Sequence, residues 1–213
     1  MYKRQLFPQI AVVDADLMRS VPPAFTAYQG FDALFHSTEC YISKFANAMS
    51  DMYALTAIKN VGQYLASAVK DGGDMEAREH MAFANTLSGV VMTVCSTTSE
   101  HSLEHAMSAY HPNLPHGAGL ILISKAFYQH FVDKHACDQR FMDMARALGM
   151  EKAENPQDFI TALEDLQRAC GVDNLKMSDY GILEDELETI AVNARETMGG
   201  LFEACLLYTS RCV

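Results

Sequence analysis

Five side chains in this sequence have the types and the spacing to hold a divalent metal ion. Asp32 and His36 stand four apart in GFDALFH, and His101 and His105 stand four apart in EHSLEH. On a helix that spacing puts both members of a pair on one face, a turn apart. His116 follows a proline-bracketed loop in LPHGAG, where Pro115 fixes the backbone and Gly117 lets it turn close to a site. Imidazoles with one carboxylate suit a first-row divalent ion such as Fe(II) or Zn(II). Taken singly the pieces are weak, because an Asp–His pair at this spacing is more often a surface or capping pair than a ligand pair. His80, His130 and His135 fit the ordinary readings of a hydrogen-bonded core histidine or a solvated one, and His111, beside Pro112, is ambiguous.

To converge, these residues must project from separate helices into the interior of a bundle. The hydrophobic pattern supplies such helices over residues 30–44, 49–69, 74–97, 99–110, 117–132, 140–148, 157–170 and 184–197. Thr26 is a candidate cap ahead of the first. Asp71-Gly72-Gly73 terminates the second, and Pro156 opens the seventh at a position where proline is tolerated. The stretch 74–97 turns nearly all apolar from Met81, the pattern of a helix surrounded by others. Only residues 6–13 (LFPQIAVV) have strand character, and Pro8 interrupts them. The expectation is one all-α domain over residues 1–213, a compact bundle of seven or eight helices.

The formal net charge of −11, with Lys and Arg scattered, argues against a nucleic-acid or anionic-membrane surface. Six cysteines without a CxxC pair read as the reduced thiols of a cytoplasmic protein. The longest apolar run, at 117–123, is too short to cross a bilayer, and the N-terminus has no secretory apolar stretch.

Joined in order, three blocks resemble the iron-containing alcohol dehydrogenase family. DADLMRSVPPAFTAYQGFDALFHSTECYIS is similar to its aspartate, proline-led turn and Thr-Ala pair ahead of G-x-D-A-x-x-H-x-x-E. AREHMAFANTLSGVVM resembles the family's central helix, and EHSLEHAMSAYHPNLPHGAGL resembles its H-x-x-x-H…P-H-G signature. The resemblance implies the C-terminal helical domain of the dehydroquinate synthase-like fold. It also implies metal ligands at Asp32, His36, His101 and His116, with His105 beside the metal in a catalytic, proton-relaying place. The implied activity is alcohol/aldehyde interconversion on a small alcohol or aldehyde, with Fe(II), or Zn(II) as the alternative, in this domain. NAD or NADP would be bound through a nucleotide-binding domain that this sequence lacks, so the helical half alone is expected to be inactive. A homo-oligomer is compatible with the resemblance.

Two departures from the family pattern bear on the site. The segment between His105 and Pro115 is one residue longer than in many members, which leaves the choice between His101 and His105 less secure. Thr97, Thr98, Ser99 and Glu100 stand where small residues are common and are expected to alter the polarity of the pocket. Residues 1–5 and 205–213 do not match the family and are expected to be non-native ends. Competing readings are a zinc enzyme of the glycerol dehydrogenase type, a non-catalytic helical fragment and a metal-dependent phosphohydrolase. The last would show an adjacent His-Asp dipeptide, which the sequence does not contain.

Overall fold

The structure, a computed structural model, describes residues 7–198, so both ends expected to be foreign lie outside the described residues. Among those residues there are eight α-helices, three short 3-10 turns and no strand. The residues 7–13 expected as a strand are irregular. Ile10 and Val12 are exposed, because no partner strand is there to pair with them.

Helix α1 (Pro23–Ile42) starts earlier than the pattern suggested, with Pro23 in the first turn, where a missing N–H costs nothing. Thr26 therefore lies inside α1, where its hydroxyl donates to the Val21 carbonyl at 3.3 Å. It does not cap the helix. Arg78 fixes the same entry segment through Gly72 O, Thr26 Oγ1 and Val21 O. Helix α2 (Ala48–Lys70) opens with a reciprocal cap between Asn47 and Ser50, and α3 (Met75–Val94) opens with Asp74 accepting from Ala77 N.

The central element is α1, which packs on α2, α3 and α5 (His116–Asp133). Thirteen of its residues are buried, including Phe31, Leu34 and Phe35, and each such side chain contributes about 1.5–3 kcal/mol by burial. Helix α3, expected at the centre from its apolar run, instead leaves Phe83, Met92 and Val94 exposed on one side. Tyr128 from α5 meets Phe141 of α6 (Asp138–Ala147) and Phe159 of α7 (Gln157–Ala169) edge to face, closing the core. Helix α4 (Ser99–Tyr110) lies between α5 and α8 (Leu187–Met198). Cys40, Cys95 and Cys170 are free thiols.

Candidate metal centre

Asp32 is the hub of the site. Its Oδ1 lies 3.3 Å from His101 Nε2, 3.3 Å from His116 Nε2 and 3.5 Å from His36 Nδ1. The donor atoms of Asp32, His101 and His116 all fall within 4.8 Å of one another, a spacing that a small contraction around bonds of ~2.1 Å would close. His36 is outside that mutual set but stacks on His101, with ring centroids 4.2 Å apart. His105 is exposed and stacks on His116 at 5.4 Å, on the open side of the cluster. All five residues singled out in the sequence therefore meet in one place. His101 faces the aspartate and His105 does not. His111 lies elsewhere, 3.4 Å from Glu186.

The helices reach this geometry through two close approaches at the start of α5. A Cβ on Gly117 would sit 2.2 Å from the Tyr28 carbonyl oxygen, so only glycine lets α5 lie against α1 with His116 beside Asp32. A Cβ on Gly119 would meet Glu104 at 2.8 Å, so this glycine leaves room for that side chain.

Behind the inner residues stands a layer of buried carboxylates. Glu39, fully buried on α1, hydrogen-bonds His101 Nδ1 through Oε2. Its Oε1 accepts from Thr98 N at 2.8 Å, Thr98 Oγ1 at 2.7 Å and Glu100 N at 3.0 Å. It thus caps the N-terminus of α4 from another helix, where the orphan N–H groups favour a negative charge. Glu104, also fully buried, hydrogen-bonds His116 Nδ1, and its Oε1 accepts from Ser108 Oγ. Glu100 points the other way, into the core. One of its oxygens pairs with Tyr128, whose hydroxyl also meets Thr38 at 2.6 Å, and the other oxygen has no partner. Thr98 and Glu100 are thus turned inward as supports.

The electrostatics around Asp32 favour positive charge. Burial raises the Asp32 carboxyl, but hydrogen bonds from His101 and His116 outweigh it and hold the group well below the usual carboxylate range. Burial opposes the His101 cation, yet Glu39 and Asp32 lift its pKa to about 10. Burial likewise opposes the His116 cation, and Asp32 and Glu104 lift it to about 9. Burial and the neighbouring His101 cation press His36 down to about 4. Burial, followed by the Glu39 charge, pushes Glu100 well above the carboxylate range. Asp32, Glu39 and Glu104 thus favour positive charge at this point, where a divalent ion would be stabilised in the same way. A cavity of about 450 Å³ opens beside Asp32, with Gln29, Arg78, Met81 and Asn85 in its walls.

A carboxylate and imidazoles converge from α1, α4 and the start of α5 as a candidate metal centre in an all-helical domain. The profile of the Fe-containing alcohol dehydrogenase family, C-terminal, matches residues 26–203. The chain belongs to the iron-containing alcohol dehydrogenase family. It is 31% identical over 206 residues to the NAD-dependent methanol dehydrogenase of Bacillus methanolicus, covering 90% of this chain and 51% of that protein. It is 30% identical over 190 residues to the 1,3-propanediol dehydrogenase of Klebsiella pneumoniae, covering 86% and 48%. The fold superposes on the archaeal alcohol dehydrogenase ADH/D1 from a Red Sea brine pool with a TM-score of 0.86, at 33% identity over 93% of this chain and 51% of that one. This chain thus spans about half the length of the relatives it matches.

Proposed function

We propose that this chain is the metal-binding half of an NAD(P)-dependent dehydrogenase interconverting a small alcohol and its aldehyde. The observation that carries the reading is the convergence of Asp32 Oδ1, His101 Nε2 and His116 Nε2, with both Nδ1 atoms held on buried carboxylates. His36, 3.5 Å from the same aspartate oxygen, completes a four-residue ligand set. A bound divalent ion supplies Lewis acidity, lowering the pKa of an alcohol. Fe(II) is the ion that the family suggests, and Zn(II) also suits these donors.

The chain's own residues do the rest. The cavity beside Asp32 receives the carbon chain of the substrate between Met81 and the polar ends of Gln29 and Asn85. His105 sits at the open edge and accepts the departing proton. Partial burial of the ring presses its pKa below the ordinary histidine value, which favours the neutral form that a base requires. Hydride transfer belongs to the nicotinamide, to which no residue of this chain is assigned. No helix among the described residues is long and apolar enough to cross a membrane, and a cytoplasmic site of action is part of this proposal.

Metal analysis of the full chain, purified anaerobically beside a His36→Ala, His116→Ala double variant, tests the reading. About one iron or zinc per chain, lost in the variant, is the expected result. A folded chain with no metal after exposure to either ion refutes it.

A further inference from the structure

We infer that Glu39 and Glu104 are positioning residues that fix the tautomers of His101 and His116, and that the two do so with unequal tolerance. The inference rests on the metal reading above. An imidazole that ligates through Nε2 must carry its proton on Nδ1, and an acceptor at Nδ1 selects that form. Glu39 and Glu104 are such acceptors, and both are completely buried, so water offers no substitute.

The difference lies in the second oxygen of each carboxylate. Glu39 Oε1 receives three donors: the Thr98 amide, the Thr98 hydroxyl and the Glu100 amide. The amide donors cannot reverse, so a Gln at position 39 must place its oxygen there. Its NH2 then occupies the position facing His101 Nδ1 and donates to it. That forces the His101 proton onto Nε2, the atom aimed at Asp32, and removes His101 as a ligand. Glu104 Oε1 meets only Ser108 Oγ, a hydroxyl that accepts as readily as it donates. A Gln at position 104 can turn its NH2 to Ser108 and keep its oxygen on His116 Nδ1. One isosteric change is therefore disruptive at 39 and mild at 104.

The deciding experiment measures zinc affinity by chelator competition on the full chain and its Glu39→Gln, Glu104→Gln and Glu104→Ala variants. Imidazole 15N shifts of the zinc-treated proteins report the tautomers, and circular dichroism checks folding. Glu39→Gln should weaken zinc toward the upper end of the roughly 10- to 100-fold that outer partners carry, with His101 protonated on Nε2. Glu104→Gln should lose only a few-fold and keep the Nδ1–H form of His116, whereas Glu104→Ala should lose on the order of tenfold or more. Native affinity in a folded Glu39→Gln protein overturns the inference. If that variant does not fold, equal affinities for Glu104→Gln and Glu104→Ala overturn it instead. Absence of zinc binding by the unsubstituted chain refutes the metal reading itself, and so separates the two failures.

Discussion

Gly117→Ala tests whether helix packing alone sets the position of a ligand, because it changes no atom of Asp32, His36, His101 or His116. The added Cβ would lie 2.2 Å from the Tyr28 carbonyl oxygen and 2.6 Å from its carbonyl carbon. Both are backbone atoms, so no side-chain rotation relieves the contact. Carbon–oxygen contacts settle near 3.3 Å, so the first turn of α5 must retreat by about 1 Å. His116, the preceding residue, moves with it. Metal–ligand distances tolerate only about ±0.2 Å, so a shift of this size detaches the imidazole and should weaken zinc by about tenfold or more. Overpacking costs about 1–3 kcal/mol, and the preference of a helix for Ala over Gly offsets roughly 0.5–1 kcal/mol of that. A net loss of about 1–2 kcal/mol lowers the melting temperature by about 2–8 °C in a chain of this size. Gly89→Ala is the matched control. Nothing lies within 4 Å of its added Cβ, so the same exchange in α3 should leave zinc binding unchanged and raise stability slightly. Chelator competition and thermal melting measure both variants. Native zinc affinity and an unshifted melting temperature in Gly117→Ala would show that the α1–α5 contact does not hold His116 in place.

Three further outcomes follow from other parts of the bundle. Tyr128→Phe strips the Glu100 side chain of its hydrogen-bond partner and should cost about 1–3 kcal/mol in thermal or urea unfolding, with zinc affinity retained. A tenfold change in zinc affinity in that variant would mean that this network is part of the site. Arg140→Lys replaces a two-pronged contact with Asp51, a bond to Tyr41 O and a guanidinium stacked 4.4 Å over the Tyr41 ring. The pair is partly exposed, so the expected loss is about 1 kcal/mol, and equal melting temperatures would show that charge alone suffices. In chelator, the metal-free chain should be pH-sensitive through the raised pKa values of His101, about 10, and His116, about 9. Their stabilisation is fully present below the unfolded value near 6.5 and is lost as pH rises through 9 to 10. A melting temperature in chelator that does not fall between pH 7 and 10 contradicts these assignments.

Most of the fold was legible because helical periodicity survives wherever one face is buried, as it does along α1, α2, α5 and α7. The errors have specific causes. The run from Met81 looked central because Ala82, Phe83, Leu87, Val90, Val91 and Met92 cover more than one face, yet only one side of α3 is packed. The pattern sets the start of α1 too late because Pro22-Pro23 reads as a break, whereas a proline in the first turn begins a helix just as well. At residues 7–13, apolar side chains and strand propensity were present without a partner for the ladder, and no local pattern can reveal that.

The candidate donors were legible for a different reason: i, i+4 spacing paired Asp32 with His36 and His101 with His105, and the family resemblance joined the pairs to His116. Their supports were not. Glu39 is three residues from His36, and Glu104 precedes His105, but neither spacing says that a carboxylate will be buried against the far nitrogen of a histidine on another helix or across a loop. A usable signal did exist in the stretch Thr97–Glu100. Polar residues at the start of a helix that runs into a buried site need partners, and α4 receives no cap from its own Thr98 side chain. The missing acceptor had to come from elsewhere in the fold, and Glu39 is the carboxylate that α1 carries one turn beyond His36. The same stretch explains why Glu100 faces inward. Its backbone N–H is committed to Glu39 on one side of the chain, which directs its side chain to Tyr128 on the other. Capping α4 and setting His101 are therefore one structural event. A substitution at Thr98 should disturb the histidine even though Thr98 touches no ligand, and Thr98→Val, which deletes the hydroxyl bond alone, is the smallest change that would show it.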